Sequence, residues 1–327
     1  MKEINSQSLQ HSLKGLDNAY NNFFKGRAKF PRFKSKHNKN SFTVPQYVKL
    51  INHKLHIPKF KSGIKVIEHR KLNGNIKQCT VSKTSTNEYF VSILVETTHV
   101  ALPKTGKSVG IDLGLKDFAI TSDGYKYKNN RYTKTYAKKL KKEQQHLSRK
   151  VKGCNGYNKQ KLKVAKLHKK ITNSRVDNLH KVSTDLIKNF DMIILEDLNI
   201  KGMIKNHKLS KHIADASWGT FVNMLEYKAG WNDKKIVKVN RFFPSSKTCN
   251  CCGYINQNLT LEMREWTCPS CHVKLDRDIN AGKNILKEGL KIISSGTGDN
   301  RSGDQIRPVT TGTIYETSKV LNNGSEA

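Results

Sequence analysis

Val109-Gly110-Ile111-Asp112-Leu113-Gly114 is an apolar run that carries a single acid and breaks on a glycine. Leu115-Lys116-Asp117-Phe118-Ala119-Ile120 turns back into a second apolar stretch, and Asp123-Gly124 supplies a hairpin signal after it. Strands disfavour Asp, and a carboxylate inside an apolar strand is costly unless it is paired or holds a metal. Asp112 therefore calls for partners elsewhere. Working outward, residues 108–128 read as three antiparallel strands and are followed by helices. A strand at 191–196 (DMIILE), a helix over 212–231, a strand over 235–240 and a last helix over 276–290 complete the series. That succession predicts a ribonuclease-H-like α/β fold, in which the strands ending in Asp112 and Glu196 are neighbours. The last helix offers Asp278, on one face with Ala281, Gly282 and Ile285. Two small residues there let the helix lie close to the sheet. Asp276 reads as an N-cap or first-turn acid, and Asp117, Asp123 and Asp197 as turn or strand-end residues.

Three converging carboxylates do not all stay ionised without cations. Hard oxygen ligands select Mg²⁺ or Mn²⁺, and a pair of such ions suits phosphodiester hydrolysis. The expected catalytic and magnesium-holding residues are Asp112, Glu196 and Asp278.

The 327 residues suffice for two or three domains. Sixty Lys and Arg against 26 Asp and Glu give a formal charge of +34, which speaks of a polyanionic partner, nucleic acid above all. No apolar run approaches membrane-spanning length, and no basic amphipathic helix with a strong apolar face competes, so a membrane partner is not expected. Met1 to Leu13 is polar and shows no signal-peptide pattern; a cytoplasmic location is expected.

Leu9, Leu13, Leu16, Tyr20 and Phe23 recur at helical spacing within residues 1–24. Residues 25–39 hold seven Lys/Arg and no acid, interleaved with Phe30 and Phe33, a composition suited to neutralising a backbone and stacking on bases. Lys25, Arg27, Lys29, Arg32, Lys34 and Lys36 are the nucleic-acid-binding candidates. Residues 41–98 read as six short strands, with turns at Asn52-His53, Asn73-Gly74 and Thr86-Asn87, and predict a small barrel or open sheet of the kind that holds oligonucleotides. Residues 130–181 carry seventeen Lys/Arg and two acids. Ala137, Leu140, Leu147 and Val151 fit one helix; Val164, Leu167, Ile171, Val176, Leu179, Val182 and Leu186 fit a second. Gly153-Cys154-Asn155-Gly156 breaks them, predicting a hairpin with a narrow apolar seam and a basic outside. Trp218 and Trp231 are expected in the core.

Five of seven cysteines crowd into 249–271. Cys249-x₂-Cys252 and Cys268-x₂-Cys271, fifteen residues apart, have the spacing of a structural zinc ribbon. Cys251 is then a spare thiol, and His272 a less suitable substitute ligand.

GIDLGLKDFAITSDG, ILEDLNIKG, SSKTCNCCG…WTCPSCH and DRDINAGKNI resemble the TnpB family in order and spacing, as do ASWGTFVNMLEYKAGW and GRAKFPRFKSKHNKNSFTVPQ. The resemblance runs over nearly all of residues 1–290. These proteins are encoded by bacterial insertion sequences, are often labelled transposases, and are similar to the ancestors of type V CRISPR effectors. The resemblance implies a RuvC-like nuclease guided by an RNA from the transposon end that cuts DNA beside a short adjacent sequence. It implies the three acid positions for Asp112, Glu196 and Asp278 and the zinc positions for Cys249, Cys252, Cys268 and Cys271. It also implies an oligonucleotide-binding-like wedge domain for the strands of 41–98. The expected plan is a helix and basic loop (1–40), a β-barrel domain (41–103) and a RuvC-like domain (104–246) with the helical hairpin at 130–189. A zinc ribbon (247–274), a last helix (275–290) and a disordered tail (291–327) follow. Gly282 stands where the family usually has Ala. Members normally carry some tens of residues before the segment resembling Glu3 to Gln10, a stretch this chain is expected to lack. Two other readings share the same residues: a transposase joining DNA strands, and a nucleic-acid-binding relic without catalysis.

Overall fold

The computed structural model describes residues 5–33, 40–260 and 262–295, and the backbone of 311–320. The chain divides into two compact units, 1–99 with 310–327, and 100–309.

The first unit opens with helix α1 (Ser6–Phe24), capped by the Asn5 side chain, which accepts from the Gln7 N–H. Strands β1 (Asn40–Val44), β2 (Lys49–Ile51), β3 (Lys54–His56), β4 (Ile64–Ile67), β5 (Asn75–Lys83) and β6 (Tyr89–Thr98) follow within two residues of the expected positions. The β2–β3 connection is two residues, Asn52 and His53, both at positive φ, the geometry that matches the twist of paired strands. The sheet order is β1-β5-β6, then a strand at Thr311–Val320, then β4-β3-β2. β1 and β2 are its two edges, and among the described residues no ladder joins them. Of the two expected forms, barrel or open sheet, the described strands pair as an open sheet. Val44 of β1 and Leu55 of β3 nevertheless share one buried core with Val66, Cys79, Val91 and Ile93, so the sheet wraps a single interior. Thr311–Val320 corrects the expectation of a disordered tail: TGTIYETSKV, rich in Thr, Ile, Tyr and Val, pairs along the whole of β6. The remainder of that tail, 296–310 and 321–327, lies outside the described residues.

The second unit is built on strands β7 (Ser108–Asp112), β8 (Asp117–Thr121) and β9 (Lys126–Lys128), followed by helices α2 (Tyr132–Thr135), α3 (Ala137–Ser148) and α4 (Asn155–Asn189). Strand β10 (Met192–Glu196) precedes α5 (Ile200–Met203), α6 (Ser210–Ala216) and α7 (Trp218–Trp231). Strand β11 (Lys235–Val239), the hairpin β12 (Glu265–Thr267) and β13 (Lys274–Asp276), and α8 (Arg277–Ser294) complete it. The sheet order β9-β8-β7-β10-β11, antiparallel across the first three strands and parallel across the last three, is the ribonuclease-H-like arrangement. One face carries Val109, Ile111, Ile193 and Leu195 into the main core with Leu186, Phe221 and Leu225 of α4 and α7. The other face receives α8.

Three expectations inside this unit need correction. The helix over 212–231 is two helices, because Ser217 adopts a left-handed backbone (φ 55°) and restarts the chain. Trp218 is buried as expected, whereas Trp231, on the last turn, stays 42% exposed and meets Tyr227 edge-on. Val151 lies beyond α3 and is exposed. No helix among the described residues is long and apolar enough to cross a membrane.

Candidate active site and metal centre

In register, Leu195 faces Ile111 across parallel β10 and β7, so Glu196 and Asp112 are the next residues at the same ends of adjacent strands. Side chains at matched positions of neighbouring strands leave the sheet on one face. Gly110 and Ile194 share that face. A Cβ at Gly110 would lie 2.2 Å from the Gly282 carbonyl oxygen and 2.5 Å from the Leu286 nitrogen, so bare backbone is what α8 rests on. Gly282 itself faces Ser122 and Thr121 of the neighbouring strand end, with a Cβ at 3.1 Å from the Ser122 nitrogen. Ser122 locks the strand pair: its N–H donates to the Gly110 carbonyl (2.8 Å), and its hydroxyl accepts from the Gly110 N–H (3.2 Å).

The close seat brings the start of α8 to the acids. Asp276 is the N-cap, accepting from the N–H groups of Asp278 and Ile279 at 3.0 Å each, and it pairs with Lys126 at 2.8 Å. Its role is structural, as the sequence predicts. Asp278 sits in the first turn, with Arg264 Nη1 at 3.5 Å. Burial, then the charges of Glu196 and Asp278, push the Asp112 carboxyl up to about 7, against a smaller opposing pull from Arg277 and the Leu113 N–H. Burial also raises Glu196, although the Ser245 hydroxyl donates to its Oε1 and works the other way. An acid pushed towards neutrality by burial and, after it, by two neighbouring acids belongs to a donor set short of positive charge, and its hard oxygens fit Mg²⁺ or Mn²⁺. Among the described residues, the four cysteines bring their ligand atoms within 4.8 Å of one another.

Ser245, the first of two consecutive serines in the loop before Cys249, was not singled out as a site residue from the sequence. Its carbonyl accepts from Asn284 Nδ2 at 2.8 Å, and Asn280 Nδ2 donates to the Thr248 carbonyl at 2.7 Å. Asn280 Oδ1 also accepts from the Asn250 N–H and side chain, both at 2.9 Å. Asn280 and Asn284 are nearly fully buried. Helix α8 therefore fixes three things together: Asp278, the serine holding Glu196, and the loop leading into Cys249.

The cysteine module closes on itself. Cys249–Cys271 and Cys252–Cys268 sulfur pairs stand 3.6 Å apart. Four sulfurs at ~2.3 Å from a tetrahedral zinc would lie about 3.8 Å apart, so the set fits the ion. The two knuckles are alike. Gly253 and His272, each just after the second cysteine of its pair, take positive φ, and the N–H of each returns to the carbonyl of the pair's first cysteine. That turn position accounts for His272, which is outside the four-sulfur group, as is exposed Cys251. The Tyr254 N–H, the largest influence on Cys252, draws its thiol down to about 6.

Of the basic-loop candidates, Lys25, Arg27, Lys29 and Arg32 are exposed; Lys34 and Lys36 lie outside the described residues. Phe33 is fully exposed, while Phe30, also exposed, packs edge-on against Tyr20 and Phe23.

Residues 92–214 match a family model described as "Probable transposase", and residues 218–285 match the "Cas12f1-like, TNB domain". The chain is 38% identical over 304 residues to a "Putative RNA-guided DNA endonuclease" of Streptomyces pristinaespiralis, covering 91% of this chain and 75% of that one. It is 34% identical to "Putative RNA-guided DNA endonuclease InsQ" of Escherichia coli (strain K12), covering 90% and 77%. A solved structure, a Cas12f1–sgRNA–target DNA complex, is 17% identical at a TM-score of 0.42, over 85% of this chain and 77% of that one.

Proposed function

The chain belongs to the TnpB family, and on that footing we propose that it is an RNA-guided DNA endonuclease acting in the cytoplasm, with a guide RNA from the transposon end and DNA as target. The observation that supports the reading is the register of Asp112 beside Glu196, with α8 seated on Gly110 to bring Asp278 alongside. Asp112, Glu196 and Asp278 would hold the catalytic magnesium; Cys249, Cys252, Cys268 and Cys271 would hold one structural zinc.

Magnesium, when bound, supplies Lewis-acid stabilisation of the phosphate and lowers the pKa of a nearby water. The protein's share is positional. Ser245 orients Glu196 through one hydrogen bond, and Lys126 keeps Asp276 occupied as a cap, away from the acids' work. With four thiolates the zinc keeps no open position, so its module is a brace for the loop 245–250 and takes no part in chemistry. The strands of the first unit, with the basic loop at 25–33, serve as the oligonucleotide-holding part. The phosphates are held by Lys and Arg, whose charge dominates the chain.

The test is product analysis with guide RNA, matched DNA and Mg²⁺. Hydrolytic breaks that disappear without the RNA support the reading. DNA strands joined to new ends would assign the same acids to strand transfer instead, and binding without any product would leave a nucleic-acid-binding protein.

A further inference from the structure

Helices α3 and α4 pack against each other, pinned by Gln160, whose Nε2 donates to the Glu143 carbonyl (2.9 Å) and carboxylate (2.7 Å). Near the tip of this hairpin the helices part into a cleft of about 440 Å³. His146, Arg149 and Lys150 form one wall; Gly156, Lys159, Gln160 and Lys163 form the other.

Charge makes the cleft unusual. No carboxylate lines it, and none of its five basic side chains forms an ion pair among the described residues. Glu143, the only acid between Ala137 and Val176, stands outside the lining; the Gln160 amide and, after it, the charges of His146 and Lys163 hold its carboxyl below the ordinary value, one acid against the cleft's four permanent cations. Four permanent cations in one concave space repel each other, and a solvated helix face relieves such repulsion by interleaving acids. The first turn of a 35-residue helix adds its positive end at Asn155 to Tyr157. The lining offers no apolar side chain for a drug-like or lipid ligand. A chain of phosphates, by contrast, supplies charge at regular intervals and needs only a groove to lie in.

We propose that the α3–α4 cleft is a binding site for the phosphodiester backbone of a nucleic acid, with Arg149, Lys150, Lys159 and Lys163 as the phosphate contacts. It lies outside the catalytic acids and outside the basic loop at 25–39. The site rests on the nucleic-acid reading above, but it is tested by binding alone. It can therefore fail while cleavage stands, and hold while cleavage fails.

The experiment compares two charge-matched variants of the full chain. One carries Arg149→Gln, Lys150→Gln, Lys159→Gln and Lys163→Gln. The other carries Lys138→Gln, Lys141→Gln, Lys142→Gln and Lys161→Gln, all exposed positions of the same hairpin outside the cleft. Binding of a short labelled duplex DNA and of a short labelled single-stranded RNA is titrated across salt, without divalent cations. Circular dichroism and melting confirm that both variants fold. The cleft variant should lose about tenfold or more in affinity at moderate salt. Its log–log salt slope should flatten by up to about 3–4 for the duplex or about 2–3 for the single strand. The control should lose much less. Loss confined to the RNA or to the DNA supports the site and names its occupant. Equal losses in the two variants, or none in the cleft variant, would mean that attraction is spread over the hairpin, and would overturn the proposal.

Discussion

Replacing Gly110 with Ala inserts a methyl group where α8 touches the sheet. The added Cβ would stand 2.2 Å from the Gly282 carbonyl oxygen, 2.5 Å from the Leu286 nitrogen and 2.9 Å from the Leu286 Cβ. The first two are backbone atoms and have no rotamer to turn away, so the helix itself must retreat by about 1 Å to restore contact distance. Overpacking of this kind costs typically 1–3 kcal/mol, and more where backbone must shift. Retreat would also strain the buried Asn280 and Asn284 bonds to the 245–248 segment, each worth about 1 kcal/mol. We expect about 3 kcal/mol in total. For a unit of this size that lowers Tm by about 6–12 °C. Cleavage should fall further than stability, because Asp278 and the serine holding Glu196 ride on the same helix. The assay is a thermal melt of wild type, Gly110→Ala and Gly282→Ala, with cleavage measured well below each Tm. Gly282→Ala should be near neutral: its Cβ meets Ser122 at 3.1 Å, and better helix propensity, ~1 kcal/mol, offsets the squeeze. A Gly110→Ala protein that melts with wild type and cleaves normally would refute the close seating of α8.

Elemental analysis should find about one zinc per chain, retained in Cys251→Ser and lost in Cys268→Ser, with the module destabilised; loss in Cys251→Ser would displace the ligand assignment. Asp112 sits at about 7 in the metal-free fold against an ordinary 3.8, so the folded chain holds a proton that the unfolded chain has released. Stability without divalent metal should therefore fall as pH rises from about 4 through about 7. Asp112→Asn should remove that part of the slope and gain on the order of 2–4 kcal/mol at pH 8, read as Tm against pH for both proteins. An unchanged slope would show that Asp112 is not buried among acids.

The sheet was legible because two of its strands, β7 and β10, are apolar runs ending in one acid each, and they stand as neighbours. The Asn52-His53 turn and the cysteine spacing were legible for the same reason: local geometry demands those residues. What escaped depends on contacts distant in sequence. Ser245 reaches Glu196 across 49 residues, and no periodicity marks it. Gly110 reads as a strand irregularity until α8 is laid on it. Asn280 and Asn284 carried a usable signal, since two amides one turn apart on the apolar face of a helix must find buried partners. Ser217 broke a helix without glycine or proline to announce it, and Thr311–Val320 was hidden by the polar composition around it.

The central claim is that Asp112, Glu196 and Asp278 form one magnesium-dependent cleavage site. The direct measurement is cleavage of matched DNA, with guide RNA and Mg²⁺, by the three single alanine variants and by Asp276→Ala. Each of the three should abolish cleavage and leave nucleic-acid binding intact, because Lys and Arg hold the phosphates. Asp276→Ala should lose only a cap, ~1 kcal/mol of stability. Undiminished cleavage by Glu196→Ala, or cleavage lost in Asp276→Ala but kept in Asp278→Ala, would contradict the account.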